Sequence, residues 1–295
     1  MVDTPIEISA SIVGGIGDII FGLEGFKEIC ESMSVDGTRS SIVTKCYLCT
    51  HCKDGSQLLR ANPYVNHIST IEFGYNFSHR ELLAKRCATD KNYIGQADTM
   101  CHSINPTIYL PQRITDKMDL FYHKRIKQHN KRLVIVHPIG SQFSCHFLGN
   151  IKQVATKELA PAKWHTILNL INGIIFKPYI ILIGSKEDKD IISEYGLDSI
   201  PNVHNYAGRF SMLESTALIT KATLVLGVDS FAKSISLASK IPSVVFVNNN
   251  DDTYRDKIFL NPYESKEYAV IIHDANIRPI DDIIYDIITE LEDIC

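Results

Sequence analysis

The sequence predicts an α/β protein in which two domains are each built on a parallel sheet covered by helices. Three observations carry that expectation. Short β-like and helix-like stretches alternate along almost all of the 295 residues, the pattern of parallel sheets whose crossovers are helices. Ile180-Ile-Leu-Ile183 and Val244-Val-Phe-Val247 are continuously apolar, as strands buried on both faces are. Gly14-Gly-Ile-Gly-Asp18 stands where the first strand hands over to the first helix, and glycines there allow a tight turn and close approach of a ligand to backbone N–H groups.

In the first half, strands are expected at 6–13, 41–44, 67–71 and 107–110, and helices at 18–32, 57–61 and 79–87. The polar, basic stretch after Pro111 holds a helix-like segment at 115–129, and the boundary is drawn there, giving domains 1–120 and 121–295. The second half shows strands at 132–137, 179–183, 203–205, 224–227, 243–247 and 268–272. Helices alternate with them at 162–172, 188–195, 212–221, 232–239 and 280–291.

Composition narrows the function classes. A chain with 45% apolar and 22% charged residues is an ordinary globular protein, and no window offers the roughly 20 uninterrupted apolar residues of a membrane span. Acidic Asp3 and Glu7 stand where a signal peptide would be basic, so a cytoplasmic protein is expected, with a phage-encoded protein acting in a host cytoplasm as the alternative. Eight cysteines without a secretion signal read as reduced thiols. The net charge of −4 does not advertise general nucleic-acid binding, although Lys124-Arg125-Ile-Lys127 with Lys131-Arg132 forms a local basic strip.

Some signals have a plain structural reading. An Asp at a helix start, such as Asp18, caps the helix and meets its dipole favourably without any catalysis. Asp188-Lys-Asp190 resembles a metal-binding pair of carboxylates, yet it opens an amphipathic helix and reads as an acidic first turn. Cys46, Cys49 and Cys52, with His51, have ligand types at chelating spacing but lack the second pair of a structural zinc site. No metal and no cofactor are expected.

Five segments, in order, resemble glycosyltransferase family 9, whose best-known members are the heptosyltransferases of lipopolysaccharide core assembly. They are the Gly15-Ile-Gly17-Asp18 turn, Asn62-Pro-Tyr-Val-Asn-His-Ile, and His137-Pro-Ile-Gly-Ser141 followed by Lys157 and Trp164. Then come Asn205-Tyr-Ala-Gly208-Arg209 with Met212 and Glu214, and Asp229-Ser230 with Pro242. The resemblance implies the GT-B architecture, two Rossmann-like domains facing a cleft, the first binding the acceptor and the second the nucleotide-sugar. It also implies a metal-independent inverting reaction in which Asp18 is the general base and the nucleotide-sugar is co-substrate. Gly15, Gly17, Ser141, Lys157, Gly208, Arg209, Glu214, Asp229, Ser230, Lys233 and Ser234 are the donor-binding residues it implies, with Glu214 a partner for ribose hydroxyls.

This chain departs from the family pattern in places. Leu159 replaces a Trp, the insert between Ser141 and Lys157 is longer, Phe231 replaces a Gly, and Ser234 stands where a His is expected. Lys233, one residue earlier, supplies a positive charge, but a one-residue shift on a helix turns a side chain by about 100°. These departures imply a donor site altered from that of the family's usual ADP-heptose.

Three functions follow as expectations. The first is an inverting glycosyltransferase acting on a lipopolysaccharide-like or other glycan hydroxyl. The second is a phage-type transferase modifying hydroxymethylated DNA bases, which the Ile-, Lys- and Asn-rich composition and the basic strip would suit. The third is a noncatalytic nucleotide-sugar-binding protein of the same fold.

Overall fold

In this computed structural model the described residues are 5–14, 16–33, 42–50, 53–72, 87, 89–97, 106–140, 159–247 and 269–294. They fall into two units, Met1–Pro111 and Gln112–Cys295.

The first unit contains β1 (Ile6–Gly14), α1 (Ile16–Met33), β2 (Ile42–Thr50), α2 (Ser56–Ala61), β3 (His67–Glu72) and β4 (Tyr93–Gln96). All four strands are parallel, in the order β3-β2-β1-β4. Residues two apart on a strand share a face, so Ile8, Ala10 and Ile12 form one apolar row on β1; these and Ile19, Ile20, Leu23 and Phe26 of α1 are buried. Helix α1 lies so close to the chain after β4 that a Cβ on Gly25 would sit 1.8 Å from the Ala97 carbonyl oxygen. Only glycine fits there.

The Asn-Pro segment joins three elements. Asn62 donates its side-chain amide to the Leu23 carbonyl (3.1 Å) and accepts the Tyr64 N–H (2.8 Å), while Asn66 accepts the Thr44 N–H (2.8 Å). Its role in this structure is to set the entry of β3 against α1 and β2.

Two elements differ from expectation. The segment 107–110 is not a strand. Its Thr107 N–H donates to the Glu24 carboxylate (2.7 Å) rather than to a ladder. The fourth strand is instead β4, a four-residue stretch whose Gly95 has φ +140°, too short and too polar to announce itself by periodicity. The expected helix at 79–87 lies, apart from Cys87, outside the described residues.

The second unit runs α3 (Gln112–Arg125), β5 (Arg132–His137), α4 (Pro161–Ile174), β6 (Pro178–Leu182), α5 (Lys186–Glu194) and β7 (Val203–Asn205). It continues with α6 (Met212–Ile219), β8 (Leu224–Val228), α7 (Phe231–Ala238), β9 (Ser243–Phe246), β10 (Ala269–Ile272) and α8 (Ile280–Ile294). The division into units falls ahead of α3, not within it at 120/121. Phe121 packs its ring edge-on against Tyr206 and Phe210, and Lys117 and Asp119 pair with Glu214 and Lys221, so α3 belongs with the second sheet.

That sheet is parallel, in the order β10-β9-β8-β5-β6-β7. The chain starts at β5, builds outward through β6 and β7, and returns to β8 on the other side, so the strand order reverses between β5 and β8. In open α/β sheets ligands bind outside the carboxyl ends of the strands at such a point. Beneath it the core is continuous: Val134, Val136, Leu182, Leu226 and Phe246 are fully buried, and Trp164 of α4 meets Phe246 edge-on with centroids 5.2 Å apart. Among the described residues no helix is long and apolar enough to cross a membrane.

Candidate functional site

Three helices follow β6, β7 and β8, and each directs its N-terminus to the carboxyl edge of the second sheet. Two of them are closed by their own side chains. Ser185 Oγ accepts the Asp188 N–H (3.2 Å) while Asp188 accepts the Ser185 N–H (2.7 Å), a reciprocal capping box at the start of α5. This is the acidic first turn expected for Asp188. Ser211 and Glu214 form the same box on α6 (3.3 and 2.8 Å).

Helix α7 is different. Its N-cap is Ser230, and that hydroxyl makes no cap bond. The Oγ lies 2.8 Å from His137 Nδ1, across the gap between β8 and β5 where the strand order reverses. The N-cap hydroxyl of α7 is thus turned to β5 at the sheet's switch point rather than to its own helix. A helix N-terminus with a hydroxyl beside it makes a ready anion site.

His137 is the residue that sequence reasoning left without a role. It ends β5, is buried, and packs edge-on against Phe231 with centroids 4.9 Å apart. Burial drives its pKa down to about 4, against the opposing pull of the Asp188 carboxylate, so at neutral pH the ring is uncharged. A strand ending in histidine beside a glycine-containing loop was the available signal. Its pairing with Ser230, 93 residues away, was not readable from spacing.

Several expected donor residues are gathered at this edge, with other duties visible. Lys233 is buried and forms an ion pair with Asp229 one helical turn earlier. Its charge is matched within the protein. Ser234 is buried on the same helix. Glu214 engages both carboxylate oxygens, one in the capping box and one with Lys117. Burial alone would raise its pKa, but the bonds from Lys117 and Ser211 hold it below the ordinary carboxylate value.

Gly208 has φ +69°, and a Cβ there would lie 2.7 Å from Lys186 Cα; its N–H donates to the Gly184 carbonyl (3.0 Å). These contacts lock the β6–α5 and β7–α6 loops together. Arg209 is exposed, with its guanidinium 5.3 Å from the Tyr206 ring centroid.

In the first unit β1 ends at Gly14 and α1 begins at Ile16, with Gly17 and Asp18 in its first turn; of Asp18 only the backbone is described. Gly15, Ser141, Lys157 and Cys52 lie outside the described residues. Cys46 and Cys49 are buried in β2. Three residues apart on a strand, they point to opposite faces and do not share a chelate. Among the described residues no cluster of three metal-binding side chains occurs.

No family model and no curated protein matches the chain by sequence. Solved structures do match by fold, over nearly the whole length of both partners. A glycosyl transferase family 9 protein from Veillonella parvula superposes with TM-score 0.68 at 11% identity, covering 99% of this chain and 99% of that one. The E. coli ADP-heptose lps heptosyltransferase II gives 0.63 at 10%, with 97% and 98% covered. E. coli heptosyltransferase WaaC with ADP gives 0.58 at 8%, with 96% and 99% covered. The chain therefore has the fold of the family 9 heptosyltransferase structures, the GT-B architecture of two parallel α/β sheets that the sequence motifs imply.

Proposed function

We propose that the protein is an inverting glycosyltransferase that takes its sugar from a nucleoside-diphosphate sugar held at the carboxyl edge of the second sheet. One observation carries the reading: at the switch point between β5 and β8, the N-cap hydroxyl of α7, Ser230 Oγ, meets His137 instead of its own helix, while neighbouring α5 and α6 are closed by capping boxes with their own carboxylates. An acidic cap repels a diphosphate, and a helix N-terminus whose cap hydroxyl is not spent on the helix can receive one.

In this reading the β-phosphate of the donor meets the α7 N–H groups and Ser230, which stabilise the charge that develops as the sugar–phosphate bond breaks. Neutral His137 holds Ser230 Oγ in place. Arg209 and the Gly208 loop border the nucleotide. Lys233 acts through Asp229, fixing the turn that carries Ser230, rather than by meeting phosphate itself. Gly15, Gly17, Ser141 and Lys157 remain donor-binding proposals on the strength of the motif match, as do Glu214, once Lys117 gives way, and Ser234.

Asp18, in the first unit, takes the proton from the acceptor hydroxyl as the oxygen attacks the anomeric carbon on the face opposite the leaving diphosphate. A carboxylate suits the step because it is ionised at neutral pH. Helix N–H groups and hydroxyls replace a metal in stabilising the leaving group. The acceptor class proposed is a glycan hydroxyl. Asp18→Ala tests the assignment: with the cognate nucleotide-sugar and acceptor, transfer should fall about 10²–10⁴-fold while donor affinity stays within a few-fold. Unchanged transfer would remove Asp18 from the mechanism.

A further inference from the structure

The opposite edge of the second sheet, where the strands begin, carries a second feature that does not depend on the donor-site reading. Arg132 lies beside Pro178 of β6, Val134 beside Leu224 of β8, and Val225 beside Ser243 of β9. Lys131 and Lys177 each stand one position ahead of that first pair, and Lys221 and Lys240 lie in the turns ahead of β8 and β9. Backbone bonds continue the ladders toward these turns: Arg132 N–H to Lys177 O (3.1 Å), Thr223 N–H to Leu133 O (2.8 Å) and Val225 N–H to Pro242 O (2.9 Å). A lysine thus precedes each of four adjacent strands.

Lys221 is paired with Asp119. Lys127, Arg132, Lys177 and Lys240 are exposed, and they and Lys131 have no carboxylate partner among the described residues. Beside Lys177, ahead of β6, Phe176 is 65% exposed and Ile174 46% exposed, with Lys177 Nζ 5.0 Å from the Phe176 ring centroid.

The backbone adds a third observation. Asn130, Lys177, Asn202 and Lys240 all have left-handed φ, at 50°, 49°, 61° and 56°, and each sits in a turn just ahead of a strand. Glycine or asparagine occupies that conformation at least cost. Two of the four turns hold lysine against that preference, Lys177 beside the exposed apolar pair and Lys240 ahead of β9. Cations after helix C-termini are favoured by the helix dipole, but the dipole gives no reason for Ile174 and Phe176 to stand in water.

We infer that this edge is a docking surface for an anionic lipid bilayer. Exposed cations along this edge, with two exposed apolar side chains at the β6 entry, match what the headgroup boundary rewards: apolar insertion together with attraction to anionic lipid. Lysine stems lie along apolar surface while their ammonium groups stay wet, and five of the six cations named are lysines. Docked this way, the six-residue β5 holds the carboxyl edge roughly 20 Å from the headgroups.

The test is flotation of the full-length protein with phosphatidylcholine vesicles, with and without phosphatidylserine. The protein should float with the anionic vesicles only, less as salt is raised, and Phe176→Ser should weaken it. The decisive variant is Lys177→Gly with Lys240→Gly, because glycine relaxes both left-handed turns and the fold should not suffer. Its thermal midpoint should be no lower than that of wild type, while vesicle affinity falls roughly fivefold per lysine, the factor equivalent to about 1 kcal/mol per cation. Failure to float with anionic vesicles, or equal flotation of the double variant, overturns the inference. Salt-sensitive retention on duplex DNA without vesicle binding would also overturn it and assign the surface to nucleic acid.

Discussion

His137 couples the candidate site to acidity. In the unfolded chain its pKa is the ordinary 6.5, and in the fold burial brings it to about 4. Between those values the unfolded chain binds the additional proton, so the histidine's contribution to stability is fully present above pH 6.5 and is lost as pH falls toward 4. The size is on the order of 3 kcal/mol. Urea unfolding from pH 7.5 to 4 should show this loss. His137→Asn, whose amide can still meet Ser230 Oγ, should lack that part of the slope; a slope identical to wild type would place the acid sensitivity elsewhere. Nothing in the local sequence distinguishes a strand-terminal histidine that is buried and neutral from one that is solvated. The pair of Lys233 with Asp229 was no more legible: Lys233 was expected to meet the donor, and Asp229 lies ahead of the α7 N-cap, where helical spacing does not announce a partner.

The elements around the site were readable where chemistry is local. Ser185-Lys-Glu-Asp188 and Ser211-Met-Leu-Glu214 carry the capping residue and the acid three positions later, and Ile180–Ile183 and Val244–Val247 show buried strands by composition alone. β4 escaped because four residues, one of them glycine, give no period to detect. The segment 107–110 misled because its β-like composition is tied down by the Glu24 side chain rather than by a strand. Gly208 can be tested at this scale. Alanine there must hold φ +69° and crowd Lys186 Cα, so Gly208→Ala should cost about 1–3 kcal/mol and displace the two loops it joins. Gly173→Ala is the control: a Cβ there meets nothing within 4 Å, and in a helix alanine is favoured over glycine by up to about 1 kcal/mol. Thermal melts of the two variants should move in opposite directions.

At the scale of the whole molecule, the motif order along the chain and the fold point the same way although identity to the matched structures is only 8–11%. Cores of parallel sheets accept many apolar combinations, so identity decays while the fold persists. The order β10-β9-β8-β5-β6-β7 brings His137 and Ser230 together, and no spacing in the sequence encodes that meeting. The central claim is that this edge holds a diphosphate. It is tested most directly by calorimetric titration of the full-length protein with ADP, UDP, GDP and CDP, using wild type, Ser230→Ala and Asp18→Ala. One nucleotide should bind wild type and Asp18→Ala alike, and Ser230→Ala roughly tenfold more weakly, as loss of one charge-assisted hydrogen bond implies. Absence of binding by all four, or binding indifferent to Ser230, would contradict the account.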